Sequence, residues 1–175
     1  MVHVVEQSID PATEVSTAED VYWSDMKTPI GRMRLTASAY GLMRAEFCDD
    51  PKDAEGECIE TKVLQWARKE LTEYFAGYRT HFEVPLDLRG SEFQREVWRE
   101  LQLIPYGTTI TYGEIAKRIF YPSASRAIGV ANGQNPIAVI VPCHRVLGQK
   151  NQLTGYAGGL DRKAWLLKHE CSTLV

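Results

Sequence analysis

No stretch of this 175-residue chain approaches the roughly 18 consecutive apolar residues that a membrane-spanning helix needs. That lack argues against a helical membrane protein. The opening MVHVVEQSIDPATEVSTAED has neither a basic start nor an apolar segment, so it does not read as a secretory leader; residues 1–20 read as a loose acidic tail. Cysteine is scarce, at positions 48, 58, 143 and 171. None stands in a C-x-x-C pair, and none has histidines at zinc-finger spacing. With no export signal, the thiols are expected to stay reduced in the cytoplasm, and their even number is no argument for disulfides. What remains is ordinary globular material, 44% apolar and 25% charged, enough for one domain or two small ones around a real core.

A net charge of −3 argues against a nucleic-acid partner only while the chain is averaged. Residues 1–88 carry 9 Lys+Arg against 17 Asp+Glu, and residues 89–175 carry 11 against 6, so the halves stand at −8 and +5. The second half is the one suited to a polyanion.

In the first half, V-Y-W-S-D-M, G-R-M-R-L-T-A-S-A and L-M-R-A-E-F alternate like the strands of a small antiparallel sheet. The segment C-D-D-P-K-D-A-E-G-E reads as a loop. Val63, Leu64, Ala67, Leu71, Tyr74 and Phe75 fall at helical spacing, closed by Gly77. H-F-E-V-P-L-D-L reads as extended chain, and R-G at 89–90 as a boundary.

The second half is mostly helical. Ser91 to Gln94 and Thr111 to Glu114 are capping-box patterns, each opening a helix with one apolar face. Pro122 is expected to break the second of these, and a third helix, S-A-S-R-A-I-G-V-A-N-G, to stop at Asn132-Gly133. Two short helices about four residues apart make a helix-turn-helix. The later helix is built from Ala124, Ala127, Gly129, Ala131 and Gly133, small side chains that let another backbone come close, with Arg126 its one long cation. I-A-V-I-V at 137–141 reads as a buried run, and Asp161 as the cap of a last helix over 161–170.

That apolar run ends in Pro142-Cys143-His144-Arg145. Cysteine is often a small core hydrophobe, but a thiol beside an imidazole is also how a nucleophile is activated. A hydrolase with a Cys-His pair would satisfy these two residues, though it leaves the small-residue helix unexplained.

P-C-H-R-V at 142–146 resembles the active-site motif of the O6-alkylguanine-DNA alkyltransferases, proteins of direct-reversal DNA repair. The resemblance extends to T-P-I-G at 28–31, Y-F-A-G at 74–77, P-L-D-L-R-G-S-E-F-Q-R-E-V-W at 85–98, S-R-A-I-G-V-A-N-G-Q-N-P-I at 125–137, G-Y-A-G-G at 155–159 and R-K-A-W-L-L-K-H-E at 162–170. It implies an α/β protein: an N-terminal ribonuclease-H-like antiparallel sheet with a helix over 21–88, and a helical C-terminal domain over 89–175 that binds DNA and carries the chemistry. It implies that Cys143 accepts the alkyl group, in one irreversible turnover, from O6 of guanine, with O4 of thymine a further substrate. His144 would lie in a relay with Glu170; since neighbouring side chains do not point the same way, a bridging water between thiol and imidazole is the implied link. Asn135 would brace the active-site segment. Tyr112, with Gly113 and Ala127 beside it, would act at the DNA, helping to rotate the nucleotide and to protonate the departing guanine. Arg126 would fill the stack left by the flipped base. Cys143 and Val146 would read the guanine edge through their backbones, and Tyr156, Ala157 and Gly158 would wall the pocket.

The partner implied is alkylated double-stranded DNA met through its minor groove, by a monomer that could assemble cooperatively along the duplex; no cofactor is implied. Departures are few. Ile119-Phe120-Tyr121-Pro122 replaces a turn that often holds glycine, and Ala157 stands where some relatives have serine. Cys48, Cys58, His3 and His81 do not reproduce the zinc spacing of some relatives, so no metal is expected. A sensor that flips the base without chemistry is the second alternative, disfavoured by the retained cysteine.

Overall fold

The computed structural model describes residues 20–50 and 56–172. The expected acidic tail and the middle of the 48–57 loop lie outside them.

Strands β1 (Tyr22–Thr28), β2 (Gly31–Ala37) and β3 (Leu42–Phe47) form an antiparallel sheet in that order. Met26, Met33, Leu35 and Ala45 face inward from it. Helix α1 (Lys62–Phe75) covers this face with Leu64, Ala67, Leu71 and Tyr74. Burying a leucine such as Leu64 or Leu71 contributes about 1.5–3 kcal/mol. Thr61 caps the helix through its side chain, and Gly77, at φ 82°, takes the left-handed turn that follows it.

The second half contains α2 (Glu92–Gln102), β4 (Ile110–Thr111), α3 (Tyr112–Arg118), α4 (Ser125–Gly133), β5 (Val146–Leu147) and α5 (Leu160–Ser172). Both expected capping boxes are formed, Ser91 with Gln94 and Thr111 with Glu114. β4 pairs with β5 in parallel, which brings the start of α3 beside the chain leaving Cys143.

Two local expectations are corrected, at the end of α3 and at the start of α5. Helix α3 stops well before Pro122, because Phe120 adopts φ 61° and the Tyr121 N–H turns back to the Ala116 carbonyl at 2.9 Å. Helix α4 ends at Gly133, where the Asn132-Gly133 stop was expected. Asp161 lies inside the first turn of α5 rather than at its cap. The apolar run at 137–141 is largely buried, as expected, and it bends: Val139 has φ 72°, Val141 N–H bonds to the Ile137 carbonyl at 3.0 Å, and Cys143–Arg145 is one turn of 3-10 helix. The Asn135 side chain imposes that bend, taking the Ile137 N–H at 3.0 Å and donating to the Val141 carbonyl at 2.8 Å.

The two halves share one apolar core. They also share backbone bonds: Ala45 in β3 donates to the Pro136 carbonyl and accepts from Ala138 N–H, both at 2.9 Å. The turn preceding the thiol is thereby pinned to the N-terminal sheet.

Candidate active site and nucleic-acid face

Cys143 opens the 3-10 turn, only 5% exposed, with its N–H bonded to the Val141 carbonyl at 2.8 Å. Burial raises its thiol pKa; the Asn135 side chain, the Lys163 charge and nearby N–H groups oppose that rise. Asn135 thus shapes the turn and also favours the thiolate within it.

His144 is fully buried. Its Nε2 lies 2.7 Å from Glu170 Oε1, while Nδ1 is buried with no partner among the described residues. Burial lowers the imidazole pKa in spite of the carboxylate beside it, so the ring is neutral near pH 7. Burial also opposes ionisation of Glu170, but hydrogen bonds from His144 and Arg145, with the guanidinium charge, hold its carboxyl far below the usual range. An ionised carboxylate only accepts, which assigns the proton of the neutral ring to Nε2 and leaves Nδ1 an acceptor.

Glu170 is a crossing point for both halves. Tyr74 of α1 donates its hydroxyl to Oε1 at 2.7 Å, and Gly107 donates its N–H to Oε2 at 3.1 Å. Arg145 holds the two oxygens with Nε at 2.9 Å and Nη2 at 3.0 Å, and its Nη1 donates to the Ile104 carbonyl at 2.7 Å. Sequence reasoning assigned no role to Tyr74, Gly107 or Arg145.

Lys163 was missed as well. It is buried with no carboxylate partner among the described residues, and its ammonium donates to the carbonyls of Val146 at 2.6 Å, Thr154 at 2.7 Å and Gly155 at 3.5 Å. Lysine rarely sits so deep unless paired. Here it fastens the segment after Cys143 to the loop before Tyr156. The missed signal lies in α5, where Lys163, Leu166 and Glu170 fall at helical spacing on the buried stripe.

The expected pocket residues gather around this fastening. Tyr156 buries its hydroxyl without a partner, and burial raises its pKa. A Cβ on Gly158 would lie 2.8 Å from the Tyr156 ring and 2.9 Å from the Phe47 ring, so only glycine fits against that wall. Ala157 is exposed at its rim, and Val146 is buried below, its carbonyl engaged by Lys163. Tyr112 is half-buried; burial raises its pKa, while hydrogen bonds with Thr154 and Asn132 oppose the rise. Its hydroxyl lies 3.9 Å from where a Cβ of Gly155 would stand. A cleft of about 740 Å³ touches Asn135, Ala157 and Gly158, but Cys143 is not among its walls.

Helix α4 packs inward through Ile128, Ala131 and Asn132, and Trp98 fixes it by an indole bond to the Ala131 carbonyl at 2.9 Å. Its outer face carries Arg126, Ala127, Val130 and Gly133. A Cβ at Gly129 would meet nothing nearer than Tyr112 at 3.9 Å, and one at Gly133 would meet nothing within 4 Å. No neighbour among the described residues needs the space these glycines leave. Arg126 is exposed beside a shallow hollow of about 700 Å³ lined by Phe93, Ser123, Ala127 and Val130. Gly113, one residue into α3, is half-buried, and a Cβ there would meet only Thr111 Oγ1, at 3.9 Å.

Two family models match the chain: the ribonuclease-like domain of 6-O-methylguanine DNA methyltransferase over residues 21–88 and its DNA binding domain over residues 92–172. A methylated-DNA–protein-cysteine methyltransferase of Mycolicibacterium paratuberculosis is 51% identical over 152 residues, 86% of this chain and 92% of that protein. One from Methanosarcina acetivorans is 48% identical over 155 residues, 87% of this chain and 99% of its own length. The crystal structure of the Mycobacterium tuberculosis O6-methylguanine methyltransferase superposes with a TM-score of 0.80 at 43% identity, covering 87% of this chain and 94% of that one. A structure of the Mycobacterium tuberculosis protein in complex with DNA gives a TM-score of 0.79 at 44% identity, with the same coverage. The buried thiol, the imidazole–carboxylate pair and the small-residue outer face of α4 agree with these matches, and the chain belongs to the methylated-DNA–protein-cysteine methyltransferase family.

Proposed function

We propose that this protein repairs alkylated duplex DNA by direct reversal, with Cys143 taking the alkyl group from O6 of a flipped-out guanine, and O4-alkylthymine as a further substrate. The supporting observation is the neutral His144 ring, fixed at Nε2 by Glu170 and open at Nδ1. The thiol proton passes to Nδ1 through one bridging water, and the ionised Glu170 stabilises the imidazolium that forms. The thiolate attacks the alkyl carbon, a sulfur–carbon bond forms, and the carbon–oxygen bond of the base breaks. The departing guanine takes a proton from Tyr112, a phenol kept protonated by its burial.

Flipping the base costs a few kcal/mol. Arg126, exposed on the outer face of α4, fills the gap in the stack, and Gly113 and Ala127 leave room for the backbone of the minor groove. Asn135 braces the thiol turn, the backbones of Cys143 and Val146 read the base edge, and Tyr156, Ala157 and Gly158 enclose it. The protein acts in the cytoplasm, where the thiol stays reduced, as a monomer that can assemble along DNA.

The thioether product has no carbonyl for water to attack, so each molecule acts once. Mixed with excess alkylated duplex, the protein is expected to give one burst of at most one alkyl group per chain. Mass spectrometry should place the group on the Cys143 peptide, and Cys143→Ala should abolish transfer while retaining DNA binding. Sustained turnover would instead identify a hydrolase, and tight binding without an adduct a sensor.

A further inference from the structure

Phe120 occupies a position that its backbone reserves for glycine. At the end of α3 the Tyr121 N–H reaches the Ala116 carbonyl at 2.9 Å and the Phe120 N–H reaches the Lys117 carbonyl at 3.2 Å. This pair of bonds is the Schellman closure, and it demands a left-handed residue at Phe120, where φ is 61°. Bulky side chains adopt that region at a cost that glycine does not bear. Packing could offset the cost, but the ring is 89% exposed. Beneath it Tyr121 packs edge-on against Phe93 of α2, with ring centres 6.2 Å apart. The fold thus holds an unshielded aromatic ring out to solvent, on a turn closed by two backbone bonds and tied to α2. Exposed cations flank it, Lys117 and Arg118 before it and Arg126 after it, in the half of the chain whose net charge is +5.

We propose that the Phe120 ring is a DNA contact, lying on the deoxyribose faces of the strand that crosses the α3–α4 turn while Lys117 and Arg118 meet the adjoining phosphates. The assignment rests on the DNA-repair reading above and extends its interface beyond α4. A ring between cations suits a nucleic-acid backbone, because sugars offer apolar C–H surface between successive charges. Such a contact adds affinity without adding a counterion-releasing charge.

The experiment compares the parent with Phe120→Gly, Phe120→Asn and Phe120→Trp on alkylated duplex DNA over a salt series, on free O6-benzylguanine, and in thermal unfolding. Phe120→Gly is expected to raise the melting temperature by relieving the backbone, yet to weaken duplex binding roughly fivefold or more. The slope of log affinity against log salt should stay at the parent value, and the rate with the free base within about twofold. Phe120→Asn, also at home in the left-handed region, should show the same loss, and Phe120→Trp should restore binding. Duplex affinity equal to the parent's in Phe120→Gly overturns the proposal, as does an equal loss on duplex and free base, which would make the ring a support of the fold. A parent that binds no duplex overturns the repair reading itself, and that result is separable because it appears before any variant is made.

Discussion

Among the described residues two carboxylates are buried, each 1% exposed: Glu70 in the sheet-covering helix α1 and Glu170 in α5. Both are saturated with hydrogen bonds, and both have an arginine. Glu70 takes the Trp66 indole N–H at 2.9 Å, the backbone N–H groups of Glu83 at 2.9 Å and Val84 at 3.1 Å, and Arg79 at 3.1 Å. Each of these donors keeps its proton at any ordinary pH, so Glu70 is a clamp that ties the 79–84 segment to α1. Glu170 replaces one fixed donor with an imidazole that burial keeps neutral and whose second nitrogen is open. Burial alone therefore does not make a carboxylate functional. A partner that changes protonation state does.

The comparison breaks hardest at Glu170→Gln. That substitution leaves the buried Arg145 without its counter-ion and removes the charge that stabilises the imidazolium. It is expected to cost about 3–5 kcal/mol of stability by urea unfolding, and to slow reaction with free O6-benzylguanine by about 100-fold or more. Glu70→Gln is the matched control: roughly 1–3 kcal/mol of stability is lost as its backbone donors go unpaired, while the rate per folded molecule stays within about twofold. A rate loss in Glu70→Gln as large as in Glu170→Gln would dissolve the distinction.

Acid offers a gentler probe. The folded pKa values of His144 and Glu170 are both lowered, so the unfolded chain binds more protons than the folded one between each folded value and its ordinary value. Their stability contributions are present at neutral pH. They are lost first as pH falls below about 6.5, where an unfolded histidine protonates, and further below about 4.3 for the glutamate. Urea midpoints measured from pH 8 to pH 4 should fall monotonically. The alkyl-transfer rate should rise with pH over the same span, since burial raises the Cys143 thiol pKa and the imidazole must be neutral to accept its proton. Tyr74→Phe is the smallest change, removing one of several donors to Glu170; about 1 kcal/mol of stability and only a minor part of the rate should go with it.

Local chemistry was the legible part of the sequence. The capping boxes at Ser91 and Thr111, the alternating strands and the apolar stripe of α1 are written within a few residues of where they act, and the Cys143, His144 and Glu170 set came with the motif. The run at 137–141 showed its burial but not its conformation, because an apolar segment that short fits a strand or a buried turn equally well, and here the Asn135 side chain decides. Phe120 hid the end of α3, since a left-handed closure is normally announced by glycine. Tyr74 and Arg145 carried no local sign of their part, because it exists only where distant segments meet.

Those distances also set an order of events in time. The groups converging on Glu170 come from 25, 63 and 96 residues away along the chain, at Arg145, Gly107 and Tyr74. Each closure draws on chain entropy before its contact is made, so contacts of such long range form late. The antiparallel sheet, in which each strand pairs with the next along the chain, has no need to wait for α5. During refolding the sheet is therefore expected to form before the Glu170 cluster, leaving the thiol open to oxidants for that interval, which timed labelling of Cys143 with a thiol reagent checks. The convergence that would ready Cys143 for the proposed transfer thus belongs to the same closure that leaves the thiol buried in the folded chain.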